Sequence, residues 1–290
     1  MSAHMDRVLA VVVAYYPDAG LVDRLKKILF QVETVVIVDN TPESSAACQL
    51  EPLLTEVDNI RVISNCRNLG LSAALNQGLK CAAESKCDWL LTLDQDSHCF
   101  PNMVQTLIRA KDNCTRVPNI VGSNFSDPRN DKPKVPVGNV GECHDQTTVI
   151  TSGCLVDVCF AQAIGGFRED YFIDQVDYEF CLRARAHGGR VVICNNLVME
   201  HSVGEVGGAW LPYFGRLPNH SPQRKYYIAR NAIVTIGNHW QTEPTWCFWR
   251  FVRLGFGFLL LATLERQRSA KVKAFLSGVF DAAIGKMGPL

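Results

Sequence analysis

The feature that most constrains this chain is a series of short, continuously apolar runs, each followed by a stretch with helical patterning. Val8–Tyr16, Thr34–Asp39, Ile60–Ser64 and Trp89–Asp94 are the runs; the segment reaching Phe30 and Leu71–Ala83 are two of the helical stretches. A strand that is apolar on both faces must be covered on both, so the alternation predicts an α/β fold, a Rossmann-like, mostly parallel sheet flanked by helices. Ligands of such open sheets sit beyond the carboxyl ends of the strands. Two runs end in an acid there, Val35-Val36-Ile37-Val38-Asp39 and Trp89-Leu90-Leu91-Thr92-Leu93-Asp94, and both carboxylates are expected at the same rim.

Further along, Asp112 to Asp145 is rich in Asn, Asp, Pro and Gly, which predicts an irregular loop flanking the site. Val149–Phe160 reads as a strand interrupted by Ser152-Gly153. Asp174–His187 reads as a helix closed by Gly188-Gly189, Arg190–Cys194 as a strand and Gln223–Ile236 as a helix. With 290 residues and 47% hydrophobic content, one large domain over residues 1–240 with a helical appendage over 241–290 is expected. The appendage combines Trp246-Cys247-Phe248-Trp249-Arg250-Phe251-Val252-Arg253 with the apolar run Leu254–Leu264 and a basic segment. That run is about half of the roughly 20 residues needed to cross a bilayer, and its flanks suit a helix lying in the membrane interface. A helical hairpin packed on the core or on a second copy of the chain is the alternative.

Basic and acidic residues number 29 each, which gives no electrostatic case for nucleic acid. Twelve cysteines occur without a Cys-x-x-Cys pair or a zinc-finger spacing, and read as buried thiols in a reducing compartment. The first residues lack the pattern of an export signal, so a cytoplasmic location is expected. The chain has no phosphate-binding P-loop, Gly-x-Gly-x-x-Gly, His-Glu-x-x-His or Gly-x-Ser-x-Gly motif, which removes support for P-loop kinases, dehydrogenases, zinc proteases and common hydrolases.

Asp94-Gln95-Asp96 carries the sharpest chemical signal. Two carboxylates on one tight turn can hold a hard cation such as Mg²⁺ or Mn²⁺ and leave positions open for phosphate oxygens. Most Asp-x-Asp triplets are solvated turns; the strand end distinguishes this one. His201, after a short apolar strand, can add a neutral imidazole ligand, although a satisfied core histidine is the commoner case. Asp174, Asp177 and Glu179 open a predicted helix, where its dipole favours them, and an acid near the rim can deprotonate an acceptor hydroxyl. Asp174 and Asp177 share a face, so one can act as base while the other orients the acceptor.

Taken together, these pieces resemble the family-2 inverting glycosyltransferases of the GT-A fold, and within them the bacterial rhamnosyltransferases that build surface polysaccharides. The resemblance runs from about Val8 to Ile236. Val11-Val12-Val13-Ala14-Tyr15-Tyr16-Pro17 resembles the family's opening strand. Val36-Ile37-Val38-Asp39-Asn40 resembles its second, whose aspartate binds the nucleotide base. Asn68-Leu69-Gly70 and Asn76-Gln77-Gly78 are similar to its paired Asn-x-Gly motifs, and Thr151-Ser152-Gly153 with Gly165-Gly166-Phe167 to its acceptor-side strand and turn. Asp94-Gln95-Asp96 matches the metal-binding Asp-x-Asp, His201-Ser202-Val203-Gly204 a late metal-site loop, and Tyr226-Tyr227 with Arg230-Asn231 a Tyr-Tyr and Arg-Asn pair.

The resemblance implies metal ligands Asp94, Asp96 and His201, and donor contacts from Tyr15, Asp39, Asn68, Asn76, Asp94 and Arg230. It puts the catalytic base on Asp177, with Asp174 in the place of an acid that many relatives carry beside it. It also implies Mg²⁺ or Mn²⁺, a dTDP-β-L-rhamnose donor and a lipid-linked saccharide acceptor at the inner face of the cytoplasmic membrane. Inversion follows from direct displacement by a hydroxyl that Asp177 deprotonates. A UDP-hexose or UDP-galactofuranose donor, a nucleotidyltransferase and a non-catalytic accessory subunit are the competing readings, and a homo-oligomer is open.

Overall fold

The structure, a computed structural model, describes residues 6–42, 47–129, 132–202, 206–211 and 215–290. The chain runs β1 (Val8–Ala14), α1 (Leu21–Leu29), β2 (Thr34–Asp39), α2 (Ala47–Glu56), β3 (Ile60–Ser64), α3 (Leu71–Glu84), β4 (Trp89–Asp94), β5 (His98–Cys99), α4 (Met103–Asp112) and β6 (Ile120–Asp127). It continues through β7 (Lys132–Pro133), β8 (Cys143–Asp145), β9 (Cys154–Asp157), α5 (Val158–Ala163), a 3₁₀ turn at Glu169–Tyr171, α6 (Val176–Ala186) and β10 (Val191–Glu200). A small β11 (Val206–Leu211) and β12 (Gly215–Pro218) hairpin precedes α7 (Pro222–His239), α8 (Pro244–Leu264) and α9 (Arg268–Ala283).

Eight strands form the main path of the sheet in the order β3-β2-β1-β4-β9-β6-β10-β5, with β7 and β8 on its flanks. β3, β2, β1 and β4 pair in parallel, β9 runs antiparallel to β4 and β6, and β10 is parallel to β6. Hence β1, β2, β4, β6 and β10 all point the same way. Their carboxyl ends bring Tyr15, Asp39, Asp94, Asp127 and His201 to one rim. The β1 side chains divide between two cores: Ala10 and Val12 pack with Leu25 and Leu91 on one face, Leu9 and Val11 with Leu75 and Val156 on the other. Gly78 lets α3 lie against the second face, since a Cβ there would fall 2.4 Å from a Val11 methyl.

Three sequence expectations are corrected here. Within Asp112–Asp145, expected as loop, lies β6, an interior strand. Its centre, Gly122-Ser123-Asn124, breaks the apolar run yet is fully serviced: Ser123 Oγ donates to the Gly153 carbonyl, and Asn124 exchanges bonds with the Val135 backbone and donates to the Asn195 carbonyl. Val149–Phe160 contains strand only at β9, and α5 follows at once because Asp157 caps it by accepting from the Phe160 amide. Among the described cysteines, Cys66 and Cys159 are exposed and Cys81, Cys114 and Cys143 only partly buried, so the expectation of buried thiols holds for the remainder alone.

The segment beyond residue 240 packs directly on α7. Ala229 and Ala232 of α7 share an apolar cluster with Leu254 and Leu261 of α8 and Phe275 of α9. Gly278 brings α9 close to the α7 backbone: a Cβ there would lie 2.4 Å from the Tyr226 carbonyl. Glu265, between α8 and α9, accepts from both Lys225 and Lys271; the two lysines are buried and the Glu265 side chain is 5% exposed. α8 also begins earlier than the apolar run suggested. Its 21 residues make it the one described helix long and apolar enough, by length and composition, to cross a membrane, and most of its surface is exposed.

Candidate active site

At the rim, the β4 exit and the β10 exit meet. The Asp94 and Asp96 carboxylates face His201 from two sides, with Nε2 3.6 Å from an Asp94 oxygen and Nδ1 3.6 Å from an Asp96 oxygen. One ligand atom from each residue lies within 4.8 Å of the other two. The imidazole is buried edge-on against Phe125, while the carboxylates remain partly open to solvent. Ser152 steadies the turn: its Oγ accepts from the Asp94 amide and bonds the Ser97 hydroxyl. Burial and the Asp96 charge push the Asp94 carboxyl upward, and His201 and Arg224 offset them only in part. A site where two acids crowd one imidazole suits a divalent cation, and carboxylate oxygens with one imidazole nitrogen are a donor set that Mn²⁺ or Mg²⁺ accepts. Val203 and Gly204 of the expected late metal-site loop lie outside the described residues.

The second acid group stands on the segment leading into α6. Helix α6 starts at Val176 rather than at the expected Asp174, because Asp174 and Gln175 take left-handed backbone conformations, as does Phe172. Asn231 holds this unusual run with one side-chain amide, which donates to the carbonyls of Tyr171, Ile173 and Asp174. Asp174 pairs with Arg224 at 3.3 Å. Asp177, in the first turn of α6, accepts from the Tyr178 amide and lines a small internal cavity with Thr92, Thr151 and Cys154. Burial raises its carboxyl to about 6, against the pull of the Tyr178 amide and the Arg250 charge. A part-buried base with that affinity for protons is poised for proton abstraction near neutral pH.

The remaining expected donor contacts divide. Asp39 is fully buried at the end of β2 and accepts from the Thr41 amide, while Tyr15 is exposed and tied to β4 through reciprocal backbone bonds with the Gln95 side chain. Asn68 is exposed and accepts from the Gly70 amide. Two residues do structural work instead of facing a donor. Asn76 clasps both the amide and the carbonyl of Phe167, fixing the Gly165–Phe167 turn to α3. Arg230, expected to meet the donor diphosphate, is buried between α7 and α9; it donates to Asn231 and to the carbonyls of Asp170 and Gly288 beside Tyr226 and Tyr227. The arginine that α7 does turn to the rim is Arg224, whose charge is felt at both Asp94 and Asp174. Its signal in the sequence was its position about one and two-thirds turns before Arg230 on the same helix, which puts the two on different faces.

Solved structures share this architecture. The S. aureus TarS 1-349 structure has a TM-score of 0.64 at 14% identity, over 95% of this chain and 80% of that one. GalNAc-T7 with UDP, GalNAc and Mn²⁺ has a TM-score of 0.57 at 13% identity, over 80% of this chain and 48% of that one. The fold is thus that of the GT-A glycosyltransferases. The chain belongs to glycosyl transferase family 2, whose model matches residues 10–159. Among curated proteins it is similar to the dTDP-rhamnosyl transferase RfbF of Shigella flexneri, 29% identical over 248 residues, 79% of each chain.

Proposed function

We propose that this glycosyltransferase moves L-rhamnose from dTDP-β-L-rhamnose to a lipid-linked saccharide, with inversion, in the assembly of a surface polysaccharide such as an O-antigen. The observation that carries the reading is the pairing of an Asp94–Asp96–His201 cluster with a separate carboxylate, Asp177, raised to about 6. The similarity to RfbF supports the rhamnosyl donor. A UDP-sugar is the second reading, favoured by TarS solved with UDP-GlcNAc, which has a TM-score of 0.56 at 13% identity.

In this mechanism Asp94, Asp96 and His201 would hold Mn²⁺ or Mg²⁺, which would offset negative charge on the departing nucleoside diphosphate. Asp39 and Tyr15 bound the nucleotide end of the cleft and Arg224 adds positive charge beside the cluster. Asp177 takes the proton from the acceptor hydroxyl as that oxygen attacks the anomeric carbon. With a single base and no carboxylate nucleophile required, one displacement inverts the configuration. The exposed face of α8, with Phe248, Phe251, Phe256 and Leu259, supports peripheral attachment to the inner face of the cytoplasmic membrane, where a lipid-linked acceptor would be reached.

Calorimetric titration with dTDP and UDP, each with Mn²⁺, Mg²⁺ or EDTA, tests the donor side without knowledge of the acceptor. The expected result is cation-dependent preference for dTDP, lost in Asp96→Ala. Preference for UDP moves the donor to a UDP-sugar, and cation-independent binding removes the metal assignment.

A further inference from the structure

Against the segment that carries Asp177, α8 presents Arg250, with Arg253 one turn further on. Arg250 Nε donates to the Gln175 side chain at 3.1 Å, and its guanidinium lies 5.1 Å from the centre of the ring of Tyr178, next to Asp177. Arg253 is exposed, and among the described residues neither its guanidinium nor the terminal nitrogens of Arg250 meet an acceptor. The nearby acids are engaged elsewhere: Asp174 with Arg224, Glu179 with Arg183 and Glu243 with Arg185. That leaves Asp177, whose task is to carry a proton. At about 3.6 residues per turn, Arg253 sits on the flank of α8 between Arg250 and the exposed Trp249 and Phe256. A strip therefore runs round the helix from the base, through two arginines, to exposed aromatic surface.

We infer that Arg250 and Arg253 bind the phosphate that joins lipid to saccharide in the acceptor, with the first atoms of the lipid running over Trp249 and Phe256. Guanidinium groups give phosphate oxygens paired, charge-assisted donors, and an aromatic flank suits an apolar tail leaving the bilayer. Arg250 touches Gln175 and Tyr178, residues on either side of Asp177 in the chain, so a phosphate held there stands beside the segment that carries the proposed base. This rests on the proposed lipid-linked acceptor but not on the identity of the donor.

Farnesyl diphosphate and farnesol, titrated into the full chain and followed by tryptophan fluorescence, separate the phosphate from the tail; Trp246 lies edge-on to Tyr178 and reports from the site. The expected result is saturable binding of farnesyl diphosphate, weakened about tenfold by Arg253→Gln and by Arg250→Gln. Farnesol binding and dTDP affinity stay unchanged in both variants, and matching melting curves show that they fold. Equal weakening of both prenyl compounds, or retained farnesyl diphosphate affinity, overturns the site. If the variants instead lose sedimentation with phosphatidylglycerol vesicles while keeping farnesyl diphosphate, the arginines serve bilayer headgroups and the acceptor assignment falls. Arginine-dependent farnesyl diphosphate binding by a protein that binds neither dTDP nor UDP leaves this site standing and removes the donor reading.

Discussion

Asp177, the proposed base, is a side chain whose charge is costly to the fold. Its carboxyl, at about 6, lies above the ordinary value of 3.8, so the native state holds that proton more tightly than the unfolded chain does. Ionising it therefore opposes folding by up to about 3 kcal/mol at pH 7, a cost that vanishes as the pH drops below the ordinary value. Asp177→Asn is expected to lower kcat by about 10²–10⁴ while raising the melting temperature at pH 7, with the gain gone at pH 3.5. Paired assays and melts across pH check this, and a variant that is both inactive and destabilised at pH 7 contradicts it. For the wild type, kcat/KM should fall on the acid side with a midpoint near 6. The placing of Asp94 and Asp96 at the rim was legible from the sequence because they follow a continuously apolar strand. Arg230 was misjudged because sequence order cannot tell which side of α7 faces the rim. That decision comes from α9, which packs over Arg230 and leaves Arg224 outside.

Among the elements, the strands that alternate with helices in local βα units were readable to within a residue or two, since each is apolar from end to end. β6 was hidden for the opposite reason: its polar centre is satisfied by Gly153, Val135 and Asn195, partners 11 to 71 positions away in the chain. The start of α6 was misplaced by two residues because Asn231, far along the sequence, holds Asp174 and Gln175 out of the helix. The buried Lys225–Glu265–Lys271 group joins α7 to the α8–α9 turn in the same long-range manner. Burial disfavours the Glu265 charge, but bonds from the two ammonium groups outweigh it and hold the carboxyl below its usual range. Glu265→Gln strands two buried cations and is expected to cost about 3 kcal/mol. Chemical denaturation at pH 7 measures this. The wild type should lose the same contribution as pH falls through the carboxylate range, narrowing the difference from the variant.

For the molecule as a whole, α8 faces two ways. Its inner side closes the core over α7 and meets the base segment; its outer side carries exposed apolar residues including Phe251 and Leu259. Replacing both with Ser should reduce co-sedimentation with phospholipid vesicles severalfold and leave the melting temperature within a few degrees, because neither side chain is buried. A loss of folding in the same variant would mean that this face is covered within the protein's own assembly. The base segment depends on residues near the end of the chain. The Gly288 amide donates to the Asp170 carbonyl, and Arg230 bridges the Gly288 and Asp170 carbonyls. A polypeptide emerging from the ribosome presents the strands and the acidic corner before the residues that tie down the segment ahead of Asp177, so in order of synthesis the proposed base would be the last part of the site to be fixed.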